Sequence, residues 1–341
     1  MEDIKFDLND ITLVPAELSS INSRTLVNTK YDTGYLPLIV SPMDSVIDNS
    51  NNHIFIDNNL LTCSVRTKNI EINSEYTFNG VSLQQFEELA LGKSTMIGTL
   101  NNFGILVDIA SGNLLKLYNL VIEFKKIYPE ISLMIGNIAN PKTYAKYCEI
   151  LTDIDFIRCS IGSGSVCTTG SNTGIYYPMG SLIKECFEES CKFNSPPKIV
   201  ADGGFINFDD IIKVLNLGAD MVMLGSILAK SLEACGDVYL DNVLVNTNKL
   251  ELFNTGHKMY RNYRGMSTKE VQKSLGKEVL TTSEGISTKV EVGYTLKTWI
   301  ENFDAYLRSA MAYSDCLTLK DFVGNQNYIH ITDQAIKRYK K

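Results

Sequence analysis

Short apolar runs, broken by Gly, Asn and Pro, recur along the 341-residue chain. They fall at PLIVSP (37–42), LLTCSV (60–65), TMIGT (95–99), ILVDIA (105–110), SLMIGN (132–137), FIRCSI (156–161), KIVADGG (198–204) and MVMLGS (221–226). Most are apolar throughout and do not alternate with polar residues, which suits strands covered on both faces, as in a parallel sheet. Between them lie stretches with helical spacing. LLKLYNLVIEFKKIYP (114–129) repeats its apolar residues every three to four positions and stops at Pro129. NPKTYAKYCEIL (140–151) opens with an Asn cap and Pro141, and NFDDIIKVLNLGAD (207–220) ends its helix at Gly218. Eight strands alternating with helices predict an α/β fold of the (β/α)8 TIM-barrel class; a doubly wound sheet is the rival that the count disfavours. The pattern predicts one domain over 1–341 with a C-terminal extension from about residue 323, and no inserted domain.

Barrels carry their chemistry at the carboxyl ends of the strands. Here those ends hold Asp108, the Gly136-Asn137 pair, ADGG (201–204) and LGS (224–226). The sixth run leads into GSGSVCTTGSNTG (162–174), a Gly/Ser/Thr loop around Cys167. By composition alone this is either a linker that happens to contain a cysteine or a loop presenting a thiol. A thiol needs activation, because its ordinary pKa is about 8.5. The adjacent Thr168 and Thr169 are poor bases without a carboxylate, and the candidate is Glu284 in TTSEGIST (281–288). A capping glutamate or a surface loop are its other readings. The two Gly-rich turns could bring backbone N–H groups to a phosphate, with a helix N-terminus behind them. Asp202 would then accept from ribose hydroxyls, or else cap a helix.

Charge and composition narrow the partners. A formal charge of −7 argues against a nucleic-acid backbone. No apolar stretch reaches the roughly 18–20 residues of a membrane span, and the acidic start MEDIKFDLND lacks a signal-peptide core. Eight scattered cysteines without a C-x-x-C pair predict reduced thiols in the cytoplasm rather than disulfides or zinc. His53, His257 and His330 lie far apart and offer no general base.

Seven stretches, in order, resemble the IMP dehydrogenase/GMP reductase family: FDLNDITLVPAELSSINSR (6–24), LIVSPMDSV (38–46), MIGNIANP (134–141), GSGSVCTTGSNTGIYYP (162–178), the segment 198–229, YRGMS (263–267) and EGISTKVEV (284–292). The resemblance covers roughly residues 5–322. It implies a (β/α)8 barrel, assembled as a homotetramer, that acts on a purine nucleoside 5′-monophosphate with a nicotinamide cofactor. Both family branches bond a cysteine to C2 of the purine. The dehydrogenase branch hydrolyses the adduct with a flap carrying an Arg-Tyr pair, between the turn at Ser267 and Glu284. That interval here, STKEVQKSLGKEVLTTSE, holds neither Arg nor Tyr.

The resemblance therefore implies the reductase branch: NADPH-dependent deamination of GMP to IMP and ammonia. IMP oxidation with NAD, or reduction of a deoxy or modified guanine nucleotide, are the alternatives. By matching positions, Cys167 is the nucleophile, and Thr169 with Glu284 carries protons. Ser165, Gly203, Gly204, Gly225, Ser226 and Tyr263 meet the phosphate end, and Asp202 the ribose. Gly265, Met266, Ser267 and Gly285 line the base. Asp108, Ala110 and Ser111, with Ser23, Arg24 and Arg66, meet the cofactor. The carbonyls of Gly162, Gly164 and Cys167 hold a monovalent cation such as potassium. The chain departs from the family pattern at Gly170 and Thr281, where Arg is usual, at Arg66 for a cofactor-side Lys, and in a YRGMS turn closer to the dehydrogenase's.

Overall fold

β-Branched and long aliphatic residues in runs of three to six favour extended backbone, and such runs gain most when both faces are covered. In the computed structural model, which describes residues 4–93, 103–274, 276 and 282–339, eight strands form one parallel sheet. The strands are β1 (Leu38–Val40), β2 (Leu61–Thr62), β3 (Phe78–Val81), β4 (Gly104–Val107), β5 (Leu133–Ile138), β6 (Phe156–Cys159), β7 (Lys198–Asp202) and β8 (Met221–Leu224). β8 pairs with β1, so the sheet curls back on itself. A parallel bridge from Cys63 to Phe78, with Ser64 N–H donating to the Phe78 carbonyl at 2.9 Å, joins the two remaining edges. That closure decides for the barrel over a doubly wound sheet.

Seven of the eight expected runs supply barrel strands; TMIGT (95–99) lies outside the described residues. The third barrel position belongs instead to Phe78–Val81, whose FNGV sequence carries two poor strand formers. Both residues have local reasons. Asn79 is buried and its Oδ1 accepts from Asn73 N–H at 2.8 Å. At Gly80 a Cβ would stand 2.4 Å from the Ser64 carbonyl oxygen, so the strand passes the β2 edge only without a side chain.

Alternate residues of each strand face two cores. Ile39, Leu106, Met134, Val200 and Met223 fill the barrel with Phe78 and Phe156. Their neighbours Leu38, Val40, Ile105, Val107, Ile199 and Ala201 face the helices. Those helices are α1 (Asn52–Asp57), α2 (Leu83–Ala90), α3 (Leu115–Ile127), α4 (Pro141–Cys148), α5 (Met179–Ser190), α6 (Phe208–Leu217), α7 (Ser226–Ala229) and α8 (Leu296–Tyr313). Their ends follow the sequence signals. Asn140 caps α4 by accepting from Lys142 N–H, and α6 starts with an Asn207/Asp210 capping box. It stops at Gly218, where φ is +123° and a Cβ would collide with Phe187.

Two features were not foreseen. An antiparallel sheet of β9 (Val238–Leu240), β10 (Val243–Leu244), β11 (Tyr260–Arg264) and β12 (Ser287–Glu291) follows β8. The C-terminal segment, expected as an extension, pairs Tyr328–His330 with Ile11–Leu13 near the start of the chain. Phe6 packs against both Tyr328 and His330.

Candidate active site

A cleft of about 260 Å³ opens at the carboxyl ends of the barrel strands, lined by residues that follow β1, β4, β6, β7 and β8 and by the turns on either side of β11 and β12. Strand direction explains the gathering: parallel strands end at one rim, so every βα loop starts there. Cys167, Thr169 and Glu284 meet in this cleft. The Cys167 thiol donates to Thr169 Oγ1 at 3.3 Å, and Thr169 Oγ1 donates to Glu284 Oε2 at 2.6 Å. The three form one hydrogen-bonded line from sulfur to carboxylate, all half-buried.

Backbone pairing fixes that line. Thr168 N–H donates to the Glu284 carbonyl at 2.9 Å, Ile286 N–H donates to the Val166 carbonyl at 3.0 Å, and Cys167 bridges Gly285. Gly285 thus stands behind the thiol rather than on the cleft wall. A Cβ there would come 3.0 Å from Ser267 Oγ. Within the loop, Cys167 N–H donates to the Gly164 carbonyl at 2.9 Å. Gly162 has φ +78°, and a Cβ on it would lie 2.6 Å from Gly170 N. At Gly170 itself an added Cβ makes only ordinary contacts, so the missing Arg leaves open room rather than relieving a clash.

Ser165, Gly203, Gly204, Gly225, Ser226 and Tyr263 line the cleft as well. Gly203 and Gly204 have φ of +90° and +86°, a conformation that only glycine adopts without strain. Tyr263 is buried, its hydroxyl donates to Met43 Sδ at 3.2 Å, and burial pushes the phenol far above its ordinary pKa. Gly265, Met266 and Ser267 line the wall that follows β11.

Asp202 sits on the floor within a charged group that the motifs did not reveal. Asn137 Nδ2 donates to Asp202 Oδ2 at 2.7 Å, and Arg158 Nη1 is 3.8 Å from the same oxygen. Arg158 Nη2 donates to Asp108 Oδ1 at 3.1 Å, and Arg66 Nη1 donates to the Asp108 carbonyl at 2.8 Å. Burial raises the Asp202 carboxyl above the usual range, against the opposing pull of Arg158 and Asn137. Two cations and two anions thus balance under the cleft. The signal for Arg158 was in the sequence: it is the one charge inside the apolar run FIRCSI. Such a residue is buried only with partners.

Asp108, Ala110 and Arg66 line the cleft, whereas Ser111, Ser23 and Arg24 do not. Ser23 and Arg24 are exposed beside α8, with Arg24 Nη1 donating to Ser309 Oγ at 3.1 Å. Thr281 lies outside the described residues. Among the described residues no cluster of His, Cys, Asp and Glu could hold a metal, and no helix is long and apolar enough to cross a membrane.

The sequence profile of the IMP dehydrogenase / GMP reductase domain matches residues 99–340. Human GMP reductase 2 is 27% identical over 98% of this chain and 96% of its own length. A GMP reductase of Buchnera aphidicola is 26% identical over the same shares. An inosine-5′-monophosphate dehydrogenase of Helicobacter pylori is 27% identical over 82% of this chain and 57% of its own length.

Proposed function

Because this chain belongs to the IMP dehydrogenase/GMP reductase family, we propose that it is the reductase: it converts GMP to IMP and ammonia at the expense of NADPH. The carrying observation is the line Cys167 Sγ, Thr169 Oγ1, Glu284 Oε2, at 3.3 and 2.6 Å. Glu284 draws the hydroxyl proton of Thr169, which in turn draws the thiol proton, leaving a thiolate to attack C2 of the guanine. The same relay, run backwards, hands the proton to the departing 2-amino group, which leaves as ammonia. No histidine is required. The absence of Arg and Tyr from 267–284 favours this over hydrolysis of the adduct by the dehydrogenase route.

The lining of the cleft supports one placement of the substrate. The glycine turns 203–204 and 225–226, with Ser165 and Tyr263, suit the 5′-phosphate, Asp202 the ribose, and Gly265 to Ser267 the base. NADPH, when bound, supplies the hydride that completes reduction at C2. Asp108 and Ala110 would hold its near end; the Asp108 side chain keeps 15% exposure between two arginines, which fits a sugar hydroxyl. For a monovalent cation, the Gly164 carbonyl already accepts from Cys167 N–H, which leaves it one lone pair to give. Purified protein given GMP and NADPH should release ammonia in step with NADPH consumption, and C167A should do neither. NADH formation from IMP and NAD without ammonia release would assign the dehydrogenase reaction instead.

A further inference from the structure

Arg261 is the largest fully buried side chain of the described residues, at 0% exposure. Its partners are backbone carbonyls rather than a carboxylate: Nη1 donates to Ala229 and to Ser231 at 2.7 Å, and Nη2 to Leu232 at 3.3 Å. Burial lowers it to about 10, so it stays cationic at neutral pH. A guanidinium taken from water is stable only where fixed acceptors replace the solvent.

Of those acceptors Ala229 is the last residue of α7, and Ser231 and Leu232 follow in the turn beyond it. The last carbonyls of any helix lack partners within it. In α7 the last three are met from outside or by the following turn. Ile227 accepts from Lys230 N–H at 3.1 Å and Tyr294 Oη at 2.6 Å. Leu228 accepts from Ser231 N–H at 3.0 Å and Ser231 Oγ at 2.8 Å. Ala229 accepts from Arg261. The other end of α7 is the Gly225-Ser226 turn of the cleft.

β11 reaches both ends. Arg261 and Tyr263 are two residues apart and share its buried face. The Tyr263 hydroxyl occupies the space over Gly225, where a Cβ would stand 2.7 Å from it. The next residue, Arg264, clasps Asp44 through Nη2 at 2.5 Å, tying the strand to the loop after β1.

We propose that Arg261 is a positioning residue for the nucleotide's 5′-phosphate: by gripping the last carbonyl of α7 and those of Ser231 and Leu232 just beyond it, Arg261 sets the height of the Gly225-Ser226 turn against Tyr263. This rests on the reading of that turn as the phosphate end of the site. Arg261 never touches the ligand; it acts through four helical residues.

The test is calorimetric titration of GMP and of guanosine, without NADPH, into the wild-type protein, R261M and R261K. A wild type that holds GMP no more tightly than guanosine removes the phosphate site and sinks the proposed function itself. With wild-type preference for GMP in hand, R261M should lose at least tenfold in GMP affinity while guanosine affinity changes less than twofold. An equal loss for both ligands would make Arg261 merely structural and overturn the proposal, as would unchanged GMP affinity. Should R261M not fold, R261K decides: about threefold weaker GMP binding with guanosine unchanged supports the grip, and wild-type GMP binding refutes it.

Discussion

At the residue scale, the proposed chemistry reduces to two hydrogen bonds. The 2.6 Å contact between Thr169 Oγ1 and Glu284 Oε2 is in the range of a charge-assisted bond, so the carboxylate polarises the hydroxyl in the resting protein. T169V keeps the shape and removes the relay. It should lower kcat by roughly 10²–10⁴-fold, the usual value of a proton-transfer partner, with the KM for GMP within about threefold. Steady-state rates of NADPH oxidation check this, and a larger effect on KM than on kcat would reassign Thr169 to binding. The catalytic candidates were legible in the sequence because a thiol among Gly, Ser and Thr is chemically conspicuous. Arg158 is harder to read, since an apolar run conceals a polar residue aimed into a barrel, and Asn137 is visible as a strand end but without its partner Asp202. Only the closed sheet brings Arg158 to Asp108 and Asp202.

At the element scale, strands and helices came out largely as their patterns predicted, and the failures share a cause. Phe78–Val81 is a strand because of what lies beside it, not because FNGV favours extension. β9, β10 and β12 are short or exposed, and β11 alternates in burial but puts an arginine on its inner face, so neither an apolar run nor apolar alternation marks them. The connection from α6 to β8 carries its own titration. Asp220 Oδ2 accepts from Ile199 N–H at 2.8 Å, and burial raises its carboxyl to about 6. Raised above the unfolded value near 4, this group favours the folded state when protonated. Its contribution is complete below about pH 4 and is lost as pH climbs through about 6. D220N cannot ionise. Between about pH 4 and pH 7 its stability should gain on the wild type by about 2 kcal/mol. Urea unfolding of both proteins at the two pH values measures the difference, and parallel curves would refute it.

At the scale of the whole molecule, the two chain ends hold each other. Ile11 is fully buried and pairs with His330, while Phe6 lies between Tyr328 and His330 and against α5 at Gly180. Tyr176, just after the Cys167 loop, donates to Asp7 Oδ2 at 2.5 Å, so this paired end also backs the loop. Truncation after Asn327 should leave the barrel folded but lower its melting temperature by several degrees, since uncovering one or two large apolar side chains costs about 2–4 kcal/mol. Scanning calorimetry would show it; an unchanged melting temperature would mean the tail contributes no net stability. Nothing in the composition of the C-terminal extension reveals a partner strand more than three hundred residues earlier.

The barrel's closure has a consequence of its own. Around most of its circumference adjacent strands share several ladder bonds, but the β2–β3 gap is zipped by the Cys63–Phe78 bridge and few bonds besides. A cylinder yields first at its thinnest seam, so thermal breathing should begin there rather than spread evenly around the ring. Arg66 sits three residues beyond that seam and lines the cleft, which puts that wall of the cleft on the least rigid arc of the cylinder.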